Sequence, residues 1–190
     1  MADTTYSAKK QLLEIAARLF FENGYRAVGV DAIVAESGVG KMTLYRHFPS
    51  KDDLIVAYLK ESNEQFWVWF DKTTSRVEEP RDKLLAFFKS LATLTTKPTC
   101  HGCPFLNVAA EFPEIEYAGH QVALEHKQAV RKHFRDLARQ AGARKPDTLA
   151  DQLFLLMDGA FIAARMFGPA NNPSTHVAQA AEALIDAQLH

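Results

Sequence analysis

Positive charge is concentrated in one short stretch of a chain whose overall charge is close to neutral. Between residues 40 and 51 the sequence holds Lys41, Arg46 and Lys51, one histidine and no carboxylate, whereas the formal net charge of all 190 residues is −1. A local cluster of cations attracts phosphate groups. An arginine can also donate two hydrogen bonds to O6 and N7 of guanine. The stretch therefore has the chemistry of a nucleic-acid-binding surface, with Arg46 as the candidate base reader.

Two cysteines with a histidine between them form the other group that could do chemistry. Cys100 and Cys103 have a spacing found in zinc sites and redox pairs, and His101 lies between them. A zinc site needs a second ligand pair, which the sequence lacks, and haem attachment needs a histidine where Pro104 stands. We expect no metal and no cofactor. Structural cysteines are the favoured interpretation, and a redox-responsive regulator using Cys100 and Cys103 is the alternative.

An enzyme is a further interpretation of the same residues. Catalysis by Cys103 with His101, or by Asp158 in a pocket, would need a nucleophile, a base and a group that orients the base. The sequence supports no such set. We therefore expect a protein that is not an enzyme.

Composition and hydropathy indicate a helical protein outside the membrane. Hydrophobic residues make up 47% of the chain, which is enough for a core, and the apolar residues recur at helical spacing without hairpin signals. The longest apolar stretch, residues 153–167, is interrupted by Asp158 and Arg165 and is too short to span a bilayer. The polar N-terminus does not resemble a signal peptide. We expect an all-α, cytoplasmic protein.

The elements that must position these residues are about nine helices in two domains. We predict a three-helix domain over residues 1–49, which holds Lys41 and Arg46, and a larger helical bundle over residues 50–190. Breaks at glycine and proline, and candidate caps at Ser50 and Ser174, place the helices. Their predicted ranges are 7–23, 30–37, 41–47, 51 to the low 70s, 80–96, 104–112, 120–141, 148–167 and 174–190.

The second and third predicted helices have the pattern of a helix-turn-helix motif. They are short, and Gly38 in the connection tolerates the positive φ that a tight turn requires. Ile33, Val39 and Leu44 are spaced to hold the two helices together. In such a motif the second helix enters the major groove of DNA.

The sequence around this motif resembles the DNA-binding domain of the TetR (AcrR-type) family of repressors. Residues 17–54 read ARLFFENGYRAVGVDAIVAESGVGKMTLYRHFPSKDDL, with the family's apolar and glycine pattern ending the first helix and its TLY-x-HF-x-SK pattern in the third. The matching positions are Leu19, Phe20, Gly24, Tyr25, Val30, Ile33, Gly38, Val39, Lys41, Thr43, Leu44, Tyr45, His47, Phe48, Ser50, Lys51 and Leu54. The resemblance implies a ligand-responsive regulator of transcription, most often a repressor, that binds a palindromic operator in double-stranded DNA as a homodimer.

The resemblance also implies roles for individual residues. Base contacts are expected from Lys41, Met42, Thr43 and Arg46, and contacts to phosphate or the DNA edge from Tyr45, His47 and Lys51. Val28 and Gly29 depart from the family pattern, because Thr or Ser usually caps the second helix there, and Gly40 and Met42 depart where Ser and Gly are common. The alternative is a helical interaction module that does not bind DNA, in which Tyr45 and His47 are only surface residues.

The bundle is expected to dimerise and to hold a small effector. The helix pair over 148–167 and 174–190 is apolar, and its small residues at Gly159, Ala160, Ala163 and Ala164 permit close helix packing. Many aromatics in the bundle are core, but a subset should line a pocket for an apolar or aromatic effector. The expected lining residues are Phe66, Phe70, Phe87, Phe88, Phe105, Asn107, His126, Met157, Asp158, Phe161 and Met166. Binding there is expected to move the long helix after Lys51 and so to separate the two DNA-binding heads.

Overall fold

The computed structural model describes the backbone of residues 2–189 and the side chains of residues 8–189, and within that range it is helical with no strand. An all-α fold and about nine helices are thus confirmed. The helices are α1 (Ala2–Asn23), α2 (Val30–Ser37), α3 (Lys41–His47), α4 (Lys51–Thr74), α5 (Pro80–Thr95), α6 (Pro104–Glu111), α7 (Ala118–Gln140), α8 (Pro146–Phe167) and α9 (Val177–Leu189), with a 3₁₀ turn (Pro173–His176) before α9.

Local chemistry explains where several helices begin. The Ser50 Oγ atom accepts a hydrogen bond from the backbone N–H of Asp53 (3.0 Å) and donates one to the Asp53 carboxylate (2.7 Å), so the predicted cap of α4 is present. Pro80 and Pro146 occupy the first helical positions of α5 and α8, where no N–H is required. Each of these starts follows from residues within the helix's own first turn.

The last helix begins differently from the prediction. Ser174 was expected to cap it, but the side chain of Asn172 accepts the hydrogen bond from the Ser174 N–H at 3.0 Å. Asn172 is itself buried and donates to the carbonyl of Thr95 at 3.1 Å. A single 3₁₀ turn therefore precedes α9, because a cap anchored to α5 outcompetes the local serine. The first helix also begins earlier than predicted, at Ala2.

By packing, the chain divides into two compact units. The head unit comprises Met1–Glu64 and Pro104–Leu124, and the body unit comprises Gln65–Cys103 and Glu125–His190. In the head unit α1, α2 and α3 pack on one another around buried Leu12, Phe20, Ile33 and Leu44. In the body unit α5 packs against α8 and α9. Whether function divides after residue 49 stays a prediction.

Candidate nucleic-acid interface

The turn between α2 and α3 has the geometry that a helix-turn-helix motif requires. Gly38 adopts a left-handed conformation (φ +67°), and its N–H donates to the carbonyl of Val34 at 3.1 Å. Ser37 secures the next peptide, because its Oγ accepts from the N–H of Val39 at 3.2 Å. Ile33 and Leu44 are fully buried. Because Leu44 is buried, one face of α3 packs against the rest of the head unit and the opposite face is exposed to solvent.

Most of the predicted DNA-contacting residues lie on that outward face. Met42 is 85% exposed and Tyr45 is 41% exposed. Lys41 and Arg46 are exposed as well, and Thr43 is half-buried. All the predicted residues of α3 therefore lie on one short helix, and Lys41, Met42, Tyr45 and Arg46 are its exposed members.

His47 is placed less favourably than expected for a phosphate contact. The residue is half-buried beside the Phe48 ring, with ring centroids 6.4 Å apart. Its Nε2 atom is enclosed and has no hydrogen-bond partner among the described side chains and backbone. Only the other ring nitrogen is thus a candidate for a contact with DNA.

Lys51 lies where α3 is followed by α4. It is the first residue of α4, it is partly buried, and its Nζ donates to the carbonyl of Arg26 at 3.4 Å. Burial lowers the pKa of Lys51 from its ordinary value. The backbone N–H groups at the start of α4 add positive potential beside it, which favours an anion there.

Two features of this surface were missed by reasoning from the sequence. Lys9 on α1 lies with its Nζ 5.9 Å from the centre of the Phe48 ring, so a cation of the first helix lies next to the residue that ends the recognition helix. Asp31 on α2 forms an ion pair with Lys41, with 2.6 Å between Oδ1 and Nζ. No local pattern signals either contact, because both join residues of different helices.

The turn between α1 and α2 is clasped by the end of α6 within the head unit. The carboxylate of Glu111 accepts hydrogen bonds from the backbone N–H groups of Tyr25 (3.0 Å) and Arg26 (2.7 Å). The Arg26 Nε donates back to the Glu111 carbonyl at 2.8 Å, and the Tyr25 hydroxyl donates to the Pro104 carbonyl at 2.8 Å. Gly24 makes the approach feasible, because a Cβ atom there would lie 2.8 Å from the Glu111 carboxylate. Both ends of α6 thus hold the turn on which α2 and α3 depend.

The body unit contains an aromatic cluster that includes several predicted pocket residues. Phe87 is fully buried, and its ring centroid lies 5.1 Å from that of Phe70, 5.3 Å from Phe88 and 6.1 Å from Phe66. The His126 ring stands edge-on to Phe66 at 4.8 Å. The cluster as a whole consists of Phe66, Trp67, Trp69, Phe70, Phe87, Phe88, Phe134, His126 and His133. Four predicted lining residues of the body unit therefore share one packed cluster with His126.

The remaining predicted pocket residues are dispersed. Met157 and Phe161 are buried on α8, but Met166 is 73% exposed and belongs to the outer face of that helix. Phe105 and Asn107 are buried in α6, which belongs to the head unit. The effector pocket as a whole thus stays a prediction.

The pKa values of His126 and Asp158, two titratable groups among the predicted pocket residues, are shifted. Burial, followed by repulsion from Lys127, lowers the pKa of His126 to about 3, so its ring is neutral at physiological pH. Burial raises the pKa of Asp158 despite its ion pair with Lys127. His126 is thus a neutral polar group beside Phe66, whereas Asp158 is engaged by Lys127.

The cysteines show no sign of reactivity. Cys103 is buried and Cys100 is half-buried, and both are free thiols. Burial raises the pKa of the Cys100 thiol, which disfavours the thiolate that oxidation requires. Among residues whose side chains are described, no group of His, Cys, Asp or Glu is arranged to hold a metal ion.

An apolar groove opens on the surface formed by α8, the 3₁₀ turn and α9. Its volume is about 270 Å³, and it is lined by Leu155, Leu156, Gly159, Ala160, Ala163, Pro173, Ser174, His176, Val177 and Ala180. Along the same helix Leu155 is 69% exposed, Ile162 46% and Phe167 52%. Exposed large apolar side chains beside an apolar groove are a feature of many interaction faces. No helix in the described part of the chain is long and apolar enough to cross a membrane.

Comparison with known proteins decides the family. Residues 12–58 match the model of the tetR family of bacterial regulatory proteins, and residues 80–184 match the model of the tetracyclin repressor-like C-terminal domain. The chain belongs to the TetR family. Both the DNA-binding head and the larger C-terminal part are covered by these matches, so the assignment does not rest on the helix-turn-helix motif alone.

Individual relatives agree with the assignment. A TetR-family transcriptional regulator from Streptomyces coelicolor has a crystal structure that superposes with a TM-score of 0.91 at 31% identity, covering 96% of each chain. The transcriptional regulator LmrA of Bacillus subtilis is 30% identical over 106 residues, which is 55% of this chain and 56% of LmrA. The transcriptional repressor KstR2 of Mycobacterium tuberculosis is 24% identical over 177 residues, 89% of this chain and 86% of KstR2. The chain is accordingly a transcriptional regulator of the TetR family. The role of this family is ligand-responsive binding to DNA.

Proposed function

We propose that this TetR-family protein is a repressor that binds a palindromic operator as a homodimer and leaves it when a small apolar or aromatic effector binds the body. The observation that carries the proposal is the outward face of α3, which presents Lys41, Met42, Tyr45 and Arg46 to solvent from a helix anchored by buried Leu44. It acts by binding and release rather than by catalysis, and in the cytoplasm, where operator DNA is found. Relatives named as transcriptional regulators, among them LmrA and the repressor KstR2, support this reading.

The proposed contacts are of two kinds: some position the protein on the DNA backbone, and others read the bases. Lys51 and the N–H groups that begin α4 bind a backbone phosphate. Tyr45 and the Nδ1 atom of His47 contact the edge of the DNA. Arg46 reads a guanine in the major groove, with Lys41, Met42 and Thr43 beside it. A single head covers few base pairs, so two heads on half-sites about one helical turn apart are needed for a specific complex.

The second copy binds through the apolar face of α8 and α9. Four large apolar side chains on α8 are exposed there, and Gly159 lies at the centre with open space where a Cβ would project. Packing two such helix pairs against each other would bury the groove and form a four-helix interface. The substitution Leu155→Lys should therefore yield monomers in analytical ultracentrifugation at micromolar concentration, while Val68→Lys, at an equally exposed apolar position on α4, should leave the dimer intact. A monomeric wild-type protein would contradict the proposal.

The effector is proposed to bind beside the aromatic cluster of the body unit. Phe66, Phe70, Phe87 and Phe88, which pack on one another in the unliganded body, are the apolar side chains proposed to line this site, and His126, edge-on to Phe66, and Asp158 are the polar groups proposed to orient a bound molecule. Since His126 is neutral, it can donate or accept a hydrogen bond without a charge. These features favour an uncharged ligand with a ring or alkyl body over a strongly ionic one.

Selection of bound sequences from random duplex DNA tests the proposal. The expected result is a single enriched motif with two inverted half-sites. Enrichment of no motif, at an ionic strength where the protein is folded and dimeric, would contradict operator binding. Enrichment of an asymmetric single site would contradict the dimeric mode only.

A further inference from the structure

One carboxylate lies inside the proposed DNA-binding surface. Asp31 Oδ1 is 2.6 Å from Lys41 Nζ, and the two side chains are 81% and 51% exposed. Lys41 is the first residue of α3, and Asp31 lies in the first turn of α2. The cation expected to face DNA is thus already paired with a negative charge in the free protein.

The Asp31 carboxylate also places a negative charge at the start of α2, where backbone N–H groups carry partial positive charge. Gly29 precedes this helix, and no side chain caps its first N–H groups. The unsatisfied N–H groups at a helix start favour a negative charge nearby, whether from an acidic side chain or from a phosphate. Asp31 supplies that charge within the chain, from the first turn of α2.

The pairing distinguishes Lys41 from its neighbour. Arg46 on the same helix has no ion pair with a carboxylate in the described part of the chain. The hydrogen bond that Lys41 donates to Asp31, and the negative charge of that carboxylate, raise the pKa of Lys41 above its ordinary value. An exposed ion pair is weak and screened by salt, so DNA can displace it.

We propose that Asp31 competes with the DNA backbone for Lys41, so that the protein binds non-cognate DNA less tightly and gains selectivity for its operator. On DNA that lacks the operator bases, Lys41 can bind only a phosphate, for which it must leave Asp31, and the released carboxylate then repels the phosphates nearby. On the operator, base contacts compensate for this cost. On other sequences nothing does, because backbone contacts supply nearly all of non-specific binding. The inference rests on the proposed DNA-binding function.

The first test measures the affinity of the dimeric protein for a short duplex of scrambled sequence across a series of salt concentrations. Asp31→Asn should raise the affinity about 3- to 10-fold at low ionic strength and should steepen the plot of log K against log salt by up to about 0.9 per head. Glu36→Gln is the matched control, since it removes one carboxylate from the same helix, and Glu36 pairs with Arg18 of α1 rather than with α3. The control should change the affinity by less than about 2-fold, because its carboxylate does not pair with a residue of α3.

The second test asks whether the gain depends on Lys41. In a Lys41→Met background, Asp31→Asn should lose most of its effect, because the cation that it releases is absent. Circular dichroism confirms that each variant is folded. The proposal is overturned if Asp31→Asn matches Glu36→Gln, or if its gain persists in full without Lys41. Failure of the wild-type protein to bind any duplex would instead overturn the DNA-binding function itself, so the two failures are distinct.

Discussion

The head unit and the body unit are stabilised in different ways. In the head, a small apolar core is supplemented by directional contacts, such as the Glu111 carboxylate on the N–H groups of Tyr25 and Arg26. In the body, aromatic rings pack on one another around Phe87 with few polar partners. Directional contacts fix the orientation of a few elements, whereas apolar burial stabilises without strict geometry. The contrast suits the proposed functions, in which the head holds α3 in a fixed orientation and the body binds an effector.

The largest expected effect comes from the body's core. Phe87→Ala should lower the free energy of unfolding by about 3–5 kcal/mol, because it leaves a cavity among five aromatic neighbours. Both tryptophans of the chain, Trp67 and Trp69, lie in the body unit, so their fluorescence during urea unfolding reports on this unit. Val68→Ala, at an exposed position of α4 in the same unit, is the control, and it should change the free energy of unfolding by less than about 0.5 kcal/mol. An equal shift for both variants would refute the tightly packed cluster.

The next largest effect is expected from a polar contact in the head unit. Glu111→Gln should cost about 1–3 kcal/mol, because two backbone N–H groups lose a charged acceptor. Hydrogen exchange at the amides of Tyr25 and Arg26 should accelerate, while the tryptophan transition of the body should stay in place. Glu114→Gln, on an exposed residue just beyond α6, is the control. Unchanged exchange at both amides in the Glu111 variant would show that the clasp does not form in solution.

The body should also respond to pH through His126. Its pKa is about 3 in the folded protein and about 6.5 when unfolded, so between these values the unfolded chain binds a proton that the folded chain does not. The free energy of unfolding should therefore fall as the pH drops below about 6.5, by about 1 kcal/mol between pH 7.5 and 5.5. His126→Phe should flatten this dependence, leaving the smaller part that belongs to His133, whose pKa burial also lowers. The exposed His176 serves as control, and an unaltered pH profile in the His126 variant would argue against its burial.

The smallest expected effect lies in the turn before α3. Gly38→Ala should destabilise the head by about 1 kcal/mol, since an L-residue is strained at φ +67° even though the space for a Cβ is open. Gly40→Ser should have the opposite sign and stabilise by a few tenths of a kcal/mol, because it restores a side-chain cap to α3. Far-UV circular dichroism during urea unfolding at fixed protein concentration measures both. Two shifts of the same sign would contradict the turn geometry.

Features set by neighbouring residues could be predicted from the sequence. The cap of α4 at Ser50, the positive φ of Gly38 and the burial of Ile33 and Leu44 each depend on a few adjacent residues, and all are confirmed. The bounds of α2 and α3 follow for the same reason. The family resemblance extended these local features to the fold of the whole chain.

Contacts between distant residues could not be predicted. Glu111 lies 86 residues from Tyr25, and nothing near either residue signals that they meet. Asn172 displaced the expected cap at Ser174 because of a hydrogen bond to Thr95, 77 residues away. The pocket is harder still, since the spacing of Phe87 or Met166 on a helix does not distinguish core, cavity wall and exposed interface.

The central claim is that α3 and the start of α4 bind DNA, and one measurement addresses it directly. The affinity of the purified dimer for duplex DNA at low ionic strength is compared between the wild type and a variant that carries Arg46→Ala and Lys51→Ala. A second variant, Lys132→Ala with Arg139→Ala, removes two exposed cations from α7 as the control. We predict at least about a 10-fold loss for the first variant and little change for the second. Equal affinities for all three proteins, or no binding by the wild type, would contradict the account.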